Sequence, residues 1–225
     1  MYKPSEISKQ NIVMLIEYLR NATVSMVEPM VISLKKEFGP DPFLILISCL
    51  LSLRSRDTIT LPICRDLFAL ARTPQEILNI PQKKIEKLLY KLGFYRRKAY
   101  LLHTVSQEII ERFSGKVPST QEELLTIKGV GKKTANLVLG QGFDIPALCV
   151  DTHVHRISNR LGLVTTKTPD ETEEALKKIL PKKYWIEFNS LLVMWGQNIC
   201  VPISPKCSIC VIFPLCARKG VTRSR

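Results

Sequence analysis

Four cysteines near one end of the chain, Cys200, Cys207, Cys210 and Cys216, are spaced C-x6-C-x2-C-x5-C within 17 residues. Thiols gathered this closely point to a metal site, because thiolates are soft ligands and a reducing interior leaves them unpaired. Zinc would satisfy four thiolates, but zinc ribbons place two short cysteine pairs well apart. The tight, asymmetric loop suits a cubane iron–sulfur cluster better. The remaining cysteines, Cys49, Cys64 and Cys149, lie scattered in apolar surroundings and read as small core hydrophobes. A second constellation is Gly129-Val130-Gly131-Lys132-Lys133. Glycines allow backbone angles and close approaches closed to other residues, and a helix beginning at Lys132 turns its first N–H groups toward an anion. A DNA phosphate fits there without any base contact; a plain corner between helices with two solvated lysines has the same sequence. Asp151, just ahead of Val154, Ile157 and Leu161, reads as the N-cap of a helix.

The elements that must hold these residues are helical. Extended polar/apolar alternation is hard to find, while helix starts recur along the chain. Asp41-Pro42 opens the apolar segment 43–53, and Thr73-Pro74-Gln75-Glu76 and Thr168-Pro169-Asp170-Glu171 read as capping boxes with Pro at the first helical position. Glu173 with Lys177 and Glu174 with Lys178 stand four apart in the favourable order. Ser119 through Ile127, the glycine turn and Lys132 to Leu139 read as helix, hairpin, helix. Lys91 through Ala99 repeats the rhythm of glycine, aromatic and basic helix start. That segment reads either as a second backbone contact or as a solvated helix with Phe94 or Tyr95 packed inward. The pattern predicts an all-α protein of about ten or more short helices.

Composition sets the partner class. The 225 residues carry 33 Lys plus Arg against 20 Asp plus Glu, a net charge of +13, and 45% apolar residues. That is enough to bury a core, and it favours a polyanion as partner. The longest near-apolar run, Phe43 to Leu51, is far short of the roughly 20 residues that span a bilayer, so no membrane segment is expected. Met1 to Glu6 lead into no apolar stretch, which argues against a secretory leader and for an intracellular setting, cytoplasm or nucleoid in a prokaryote. Arg218, Lys219, Arg223 and Arg225 read as a mobile basic tail that adds nonspecific affinity.

Taken together, the residues resemble the endonuclease III family of helix-hairpin-helix DNA glycosylases over roughly residues 30–216. Gly129-Val130-Gly131-Lys132-Lys133-Thr134-Ala135 is similar to the family's hairpin and catalytic lysine, Val150-Asp151-Thr152-His153 matches its Val-Asp-Thr-His segment, and the four-cysteine spacing is its cluster spacing. The 18-position offset between Lys133 and Asp151 also agrees. By resemblance Lys133 is the nucleophile and Asp151 the carboxylate. Gly129, Val130, Gly131, Lys132, Arg54, His153 and Lys206 are expected to contact DNA, and Cys200, Cys207, Cys210 and Cys216 to hold a [4Fe-4S] cluster. A lysine at position 133, rather than the Ser or Tyr of neighbouring branches, selects the bifunctional branch. Three departures stand out. Arg54 replaces the Gln expected to fill the gap left by an extruded base, Ile127-Lys128 replaces Leu-Pro, and Lys206 is the one basic residue inside the Cys200–Cys207 loop. The second departure should cost rigidity more than chemistry.

The resemblance implies a two-domain fold: a multi-helix domain over 35–145, a discontinuous cluster domain from 1–34 and 146–225, and a DNA-binding cleft between them. It implies a monomer acting on double-stranded DNA with a damaged, oxidised-pyrimidine base or an abasic site. The chemistry fits the residue types. Extruding a base costs a few kcal/mol and is easiest for damaged ones. Loss of the base passes through an oxocarbenium-like state that a carboxylate stabilises. A lysine amine attacks only when neutral, a form favoured by burial, a helix N-terminus and neighbouring cations. The Schiff base it forms then permits β-elimination on the 3′ side. Two rivals remain at this level: a monofunctional mismatch glycosylase, which releases the base and leaves the strand intact, and a noncatalytic module, which binds without cleavage.

Overall fold

A computed structural model describes residues 9–225; Met1 to Glu6, on which the leader reading rests, lie outside the described residues. The helices are α1 (Lys9–Thr23), α2 (Met30–Phe38), α3 (Pro42–Ser52), α4 (Asp57–Leu70), α5 (Pro74–Asn79), α6 (Gln82–Leu88), α7 (Tyr95–Phe113), α8 (Gln121–Leu125), α9 (Lys132–Leu137), α10 (Thr152–Leu161), α11 (Pro169–Ile179) and α12 (Trp185–Asn198). There is no strand among the described residues, so the all-α expectation holds. No helix among them is long and apolar enough to cross a membrane.

Local caps set where the helices begin. The Asp41 carboxylate accepts the Phe43 and Leu44 N–H groups ahead of α3. Thr73 and Glu76 complete both halves of a capping box on α5. Thr168 caps α11 through the Glu171 N–H, but the Glu171 carboxylate turns to the Lys167 N–H, so only half of the second box forms. Each such cap is worth about 1 kcal/mol. The charge pairs on α11 also differ from the expectation. Lys177 takes both Glu173, at 2.6 Å, and Glu174, at 3.1 Å, and thereby displaces the Glu174–Lys178 pair.

The chain divides into two compact units. Met30–Ala147 forms one, and Leu148–Arg225 joins the segment preceding Met30 in the other. In the first, α3 is apolar on every side and buried from Phe43 to Leu51, with α2, α4, α7 and α9 packed on it. Beyond α9 the chain does not continue as the regular helix that periodicity predicts, but widens into a π-helical turn, Val138–Gly142. The close approach of Gly142 to α3 accompanies this: an added Cβ would lie 2.8 Å from Pro42 Cα. In the second unit, Ile12, Leu15, Ile16 and Leu19 of α1 share a core with Val154, Ile157 and Leu161 of α10 and with Phe188, Leu192 and Trp195 of α12. Cys49, Cys64 and Cys149 are buried, and none of the seven cysteines is in a disulfide.

Candidate active site and metal centre

In the first unit the hairpin is built from α8, the turn 126–131 and α9. Thr120 caps α8 through the Glu123 N–H, Ile127 is buried, and Val130 N–H closes the turn on the Ile127 carbonyl at 3.1 Å. Gly129 has φ +80° and lies so close to Leu101 that an added Cβ would sit 3.2 Å from its methyl groups. Only one of the two glycines carries the special geometry. Gly131 has φ −106°, ordinary extended backbone, and open space where a Cβ would point. What it contributes is room for close approach at the start of α9. Lys132 and Lys133 occupy the first turn of α9, both exposed. The burial expected around Lys133 is therefore not found: its side chain is exposed at the second position of α9, just ahead of the buried Thr134 and Ala135. Lys133 is still close enough to Cys49 to act on it electrostatically, although burial dominates there and pushes that thiol up to about 12.

Lys128 anchors the hairpin in place of the missing proline. Its N–H donates to Glu108 Oε2 at 3.0 Å and its ammonium stands 5.1 Å from the Tyr100 ring centre. Arg112, which pairs with Glu108 at 3.6 Å, donates to Thr126 Oγ1 at 2.7 Å and to the Thr126 carbonyl at 3.2 Å. The rigidity thought to be lost with proline is thus replaced by a network tying the hairpin to α7. Lys128→Pro removes an amide donor to a carboxylate and should lower stability by about 1 kcal/mol, which at this chain length is about 2–4 °C in Tm. A thermal melt checks this; a raised midpoint would mean that the fixed φ of proline outweighs the network.

Arg54 lies in the turn between α3 and α4, exposed, with φ +55°. Its guanidinium stands 5.8 Å from the ring centre of Phe94, which has φ +57° and is 63% exposed. Within the segment 91–99 it is Tyr95 that packs on the core, while Phe94 faces outward. Sequence reasoning missed Lys98, which hides inside the basic run Arg96-Arg97-Lys98. It is only 6% exposed, and its ammonium donates to the Leu51 carbonyl and to Ser55 Oγ, each at 2.8 Å. Burial pushes its pKa below the usual lysine value.

In the second unit Asp151 caps α10. Oδ1 accepts the N–H groups of His153 and Val154, both at 2.9 Å. His155 is structural, as its Nδ1 lies 2.6 Å from Thr172 Oγ1. His153 packs against α12 at Gly196, where an added Cβ would collide with its ring, and Arg156 Nη2 lies 3.1 Å from His153 Nδ1. Lys206 starts the 3₁₀ turn at Cys207 and is half-buried.

Cys200, Cys207, Cys210 and Cys216 line one pocket, walled by Ile157, Leu161, Trp195, Ile212, Phe213 and Val221. Among the described residues no three His, Cys, Asp or Glu side chains converge as they would around a single ion. α10 grips the loop from outside: Arg160 Nη1 approaches Cys200 Sγ at 3.4 Å and the Val201 carbonyl at 2.8 Å, while Arg156 Nη2 donates to the Cys200 carbonyl at 2.9 Å. Burial pushes the Cys210 thiol up to about 11 and that of Cys216 in the same direction, so a bound cation must displace their protons. The basic tail is not mobile as expected. Ala217 and Lys219 donate their N–H groups to the Leu161 and Arg160 carbonyls. Arg225 N–H donates to the Pro205 carbonyl at 3.0 Å, and its own carbonyl accepts the Ser208 N–H at 3.1 Å. These backbone bonds, invisible to composition, turn the tail back over the cysteine loop.

Residues 47–182 match the HhH-GPD superfamily of base excision DNA repair proteins. Endonuclease III of Thermotoga maritima is 47% identical over 82% of this chain and 89% of its own length. A solved non-covalent endonuclease III–DNA complex superposes with a TM-score of 0.82 at 31% identity, covering 94% of this chain and 96% of that one. A trapped endonuclease III–DNA covalent intermediate superposes at 0.79 and 30% identity, over 94% and 96%. The chain belongs to the endonuclease III family.

Proposed function

We propose that this protein, a DNA glycosylase and abasic-site lyase of base excision repair, uses Lys133 as its nucleophile and Asp151 as the carboxylate facing the sugar. The observation that carries this reading is the exposed lysine in the first turn of α9, directly behind the tight Gly129 turn, in a chain similar to one that has been trapped covalently on DNA. The hairpin backbone from Gly129 to Gly131 and the Lys132 ammonium hold a phosphate. Arg54 fills the gap left by the extruded base, with His153 and Lys206 adding contacts. Asp151 uses Oδ1 to cap α10, so its second oxygen is the one that stabilises positive charge developing at C1′. The Lys133 amine bonds to C1′ as the bond to the base breaks. Opening of the sugar gives a protonated imine, the C2′ proton is lost, and the C3′–O bond to the 3′ phosphate breaks. The protein is expected to act as a monomer on double-stranded DNA. Duplex DNA carrying one oxidised pyrimidine tests the reading. Base release with strand scission supports it, and base release from an intact strand overturns the role of Lys133.

The four cysteines would hold a [4Fe-4S] cluster. The fit rests on the donor set and its spacing, four soft ligands lining one pocket. Bound there, the cluster supplies a cross-link for a loop with little helix of its own. The folded-back tail covers that site, and its two backbone bonds to the loop are worth about 1 kcal/mol each. Removal of residues 221–225 should therefore speed loss of iron to a chelator by about tenfold, because local opening becomes more frequent. The visible absorbance of the cluster followed with time reads this, and an unchanged rate would show that the tail does not shield the site.

A further inference from the structure

The turn that carries Arg54 and the residue that opens α7 are both built in a conformation that ordinary side chains avoid. Arg54 has φ +55° and Phe94 has φ +57°. Such a backbone is strained and persists only where the surroundings enforce it. The two turns touch: a Cβ added to Gly93 would lie 3.9 Å from the Arg54 carbonyl oxygen, and the Arg54 guanidinium stacks on the exposed Phe94 ring. What enforces the arrangement is Lys98, one turn into α7. Its ammonium crosses to the end of α3 and closes on the Leu51 carbonyl, one of the carbonyls a helix end leaves unpaired, and on the Ser55 hydroxyl just past Arg54. The carbonyl three positions before Arg54 and the hydroxyl of the residue just after it are thereby fixed to the helix that begins at Phe94. A lysine almost fully buried against a carbonyl and a hydroxyl is an expensive choice for stability alone, since burial works against its charge.

We infer that Lys98 is the positioning residue of a preassembled wedge, the stacked Arg54–Phe94 pair, which enters the duplex where a base has been extruded. The inference rests on the reading of Arg54 as the gap-filling residue. An aromatic ring with a planar cation over it replaces the stacking that the lost base provided, and holding the two together before binding avoids the entropy of ordering two mobile side chains. The chemistry at C1′ needs none of this, so the wedge should govern the choice of a gapped duplex over an intact one and leave the reaction of an already exposed sugar alone.

The test compares intact protein, Lys98→Met, Arg54→Ala and the double variant in two assays. Equilibrium binding is measured to a duplex with one reduced abasic-site analogue and to the same duplex undamaged. Borohydride trapping is measured on a single-stranded abasic oligonucleotide, which has no gap to fill. Lys98→Met should melt cooperatively, trap the single strand within about threefold of the intact protein, and lose about tenfold in preference for the gapped duplex. The double variant should lose no more than Arg54→Ala alone, because both changes disable one device. An unchanged preference in Lys98→Met, or losses that multiply in the double variant, overturns the inference. Ser55→Ala, which removes one acceptor and keeps the lysine, gives the same sign with a smaller loss and serves where Lys98→Met does not fold. Failure of the intact protein to trap DNA would sink the lyase chemistry, while the binding preference still tests the wedge.

Discussion

Lys133→Ala should lower strand scission at an abasic site by at least about a thousandfold and abolish the covalent adduct formed with borohydride, because no other amine takes over a nucleophile's role. The neighbouring substitution separates chemistry from charge. Lys132 shares the first turn of α9 and the same exposure, so Lys132→Ala removes the same formal charge. It should flatten the salt dependence of binding by about 0.9 log units per log unit and still trap DNA. Equal loss of trapping in the two variants would reduce both lysines to phosphate contacts and restore the noncatalytic reading. Asp151→Asn makes the complementary cut. Asn is as good an N-cap as Asp, so the bonds to His153 and Val154 survive while the negative charge goes. Base release should then fall by orders of magnitude with the melt little changed. A variant that unfolds instead would show that the carboxylate serves α10 more than the sugar.

The features legible in the sequence were those written by local rules. Asp41, Thr73, Thr168 and Asp151 cap where they should because a cap is decided within four residues. The buried face of α10 follows from Val154, Ile157 and Leu161 at helical spacing. What escaped was decided by contacts distant in the chain or by competition among equals. Lys98 reads as one more solvated cation until the end of α3, some 47 positions earlier, is seen to reach it. The tail reads as disordered charge because its order comes from main-chain bonds to Arg160, Leu161, Pro205 and Ser208, which side-chain composition does not encode. Lys177 had two acids within reach, and rotamer geometry rather than spacing made the choice. The π-helical turn after α9 breaks a periodicity that the sequence continues, under the close approach of Gly142 to Pro42.

The other large effect lies in the cysteine loop. From Cys200 to Cys216 the chain makes only two short 3₁₀ turns, and of its apolar side chains only Pro205 and Ile212 are buried. A segment of that length without helix cannot offset its own conformational entropy and needs a cross-link. Arg156 and Arg160 hold its first edge, at Cys200 to Pro202, and the tail holds its last; neither reaches Cys210. Because ligand binding to the folded state alone is folding free energy, Cys210→Ser should strip most of the metal and lower Tm by on the order of 10 °C. Iron and acid-labile sulfide should both fall from about four per chain, the composition of a cubane. The same assay decides between the two metal readings. About one zinc per chain with no sulfide in the intact protein would overturn the cluster assignment, and a Cys210→Ser protein that keeps its metal and its melt would leave the loop to be explained by packing alone.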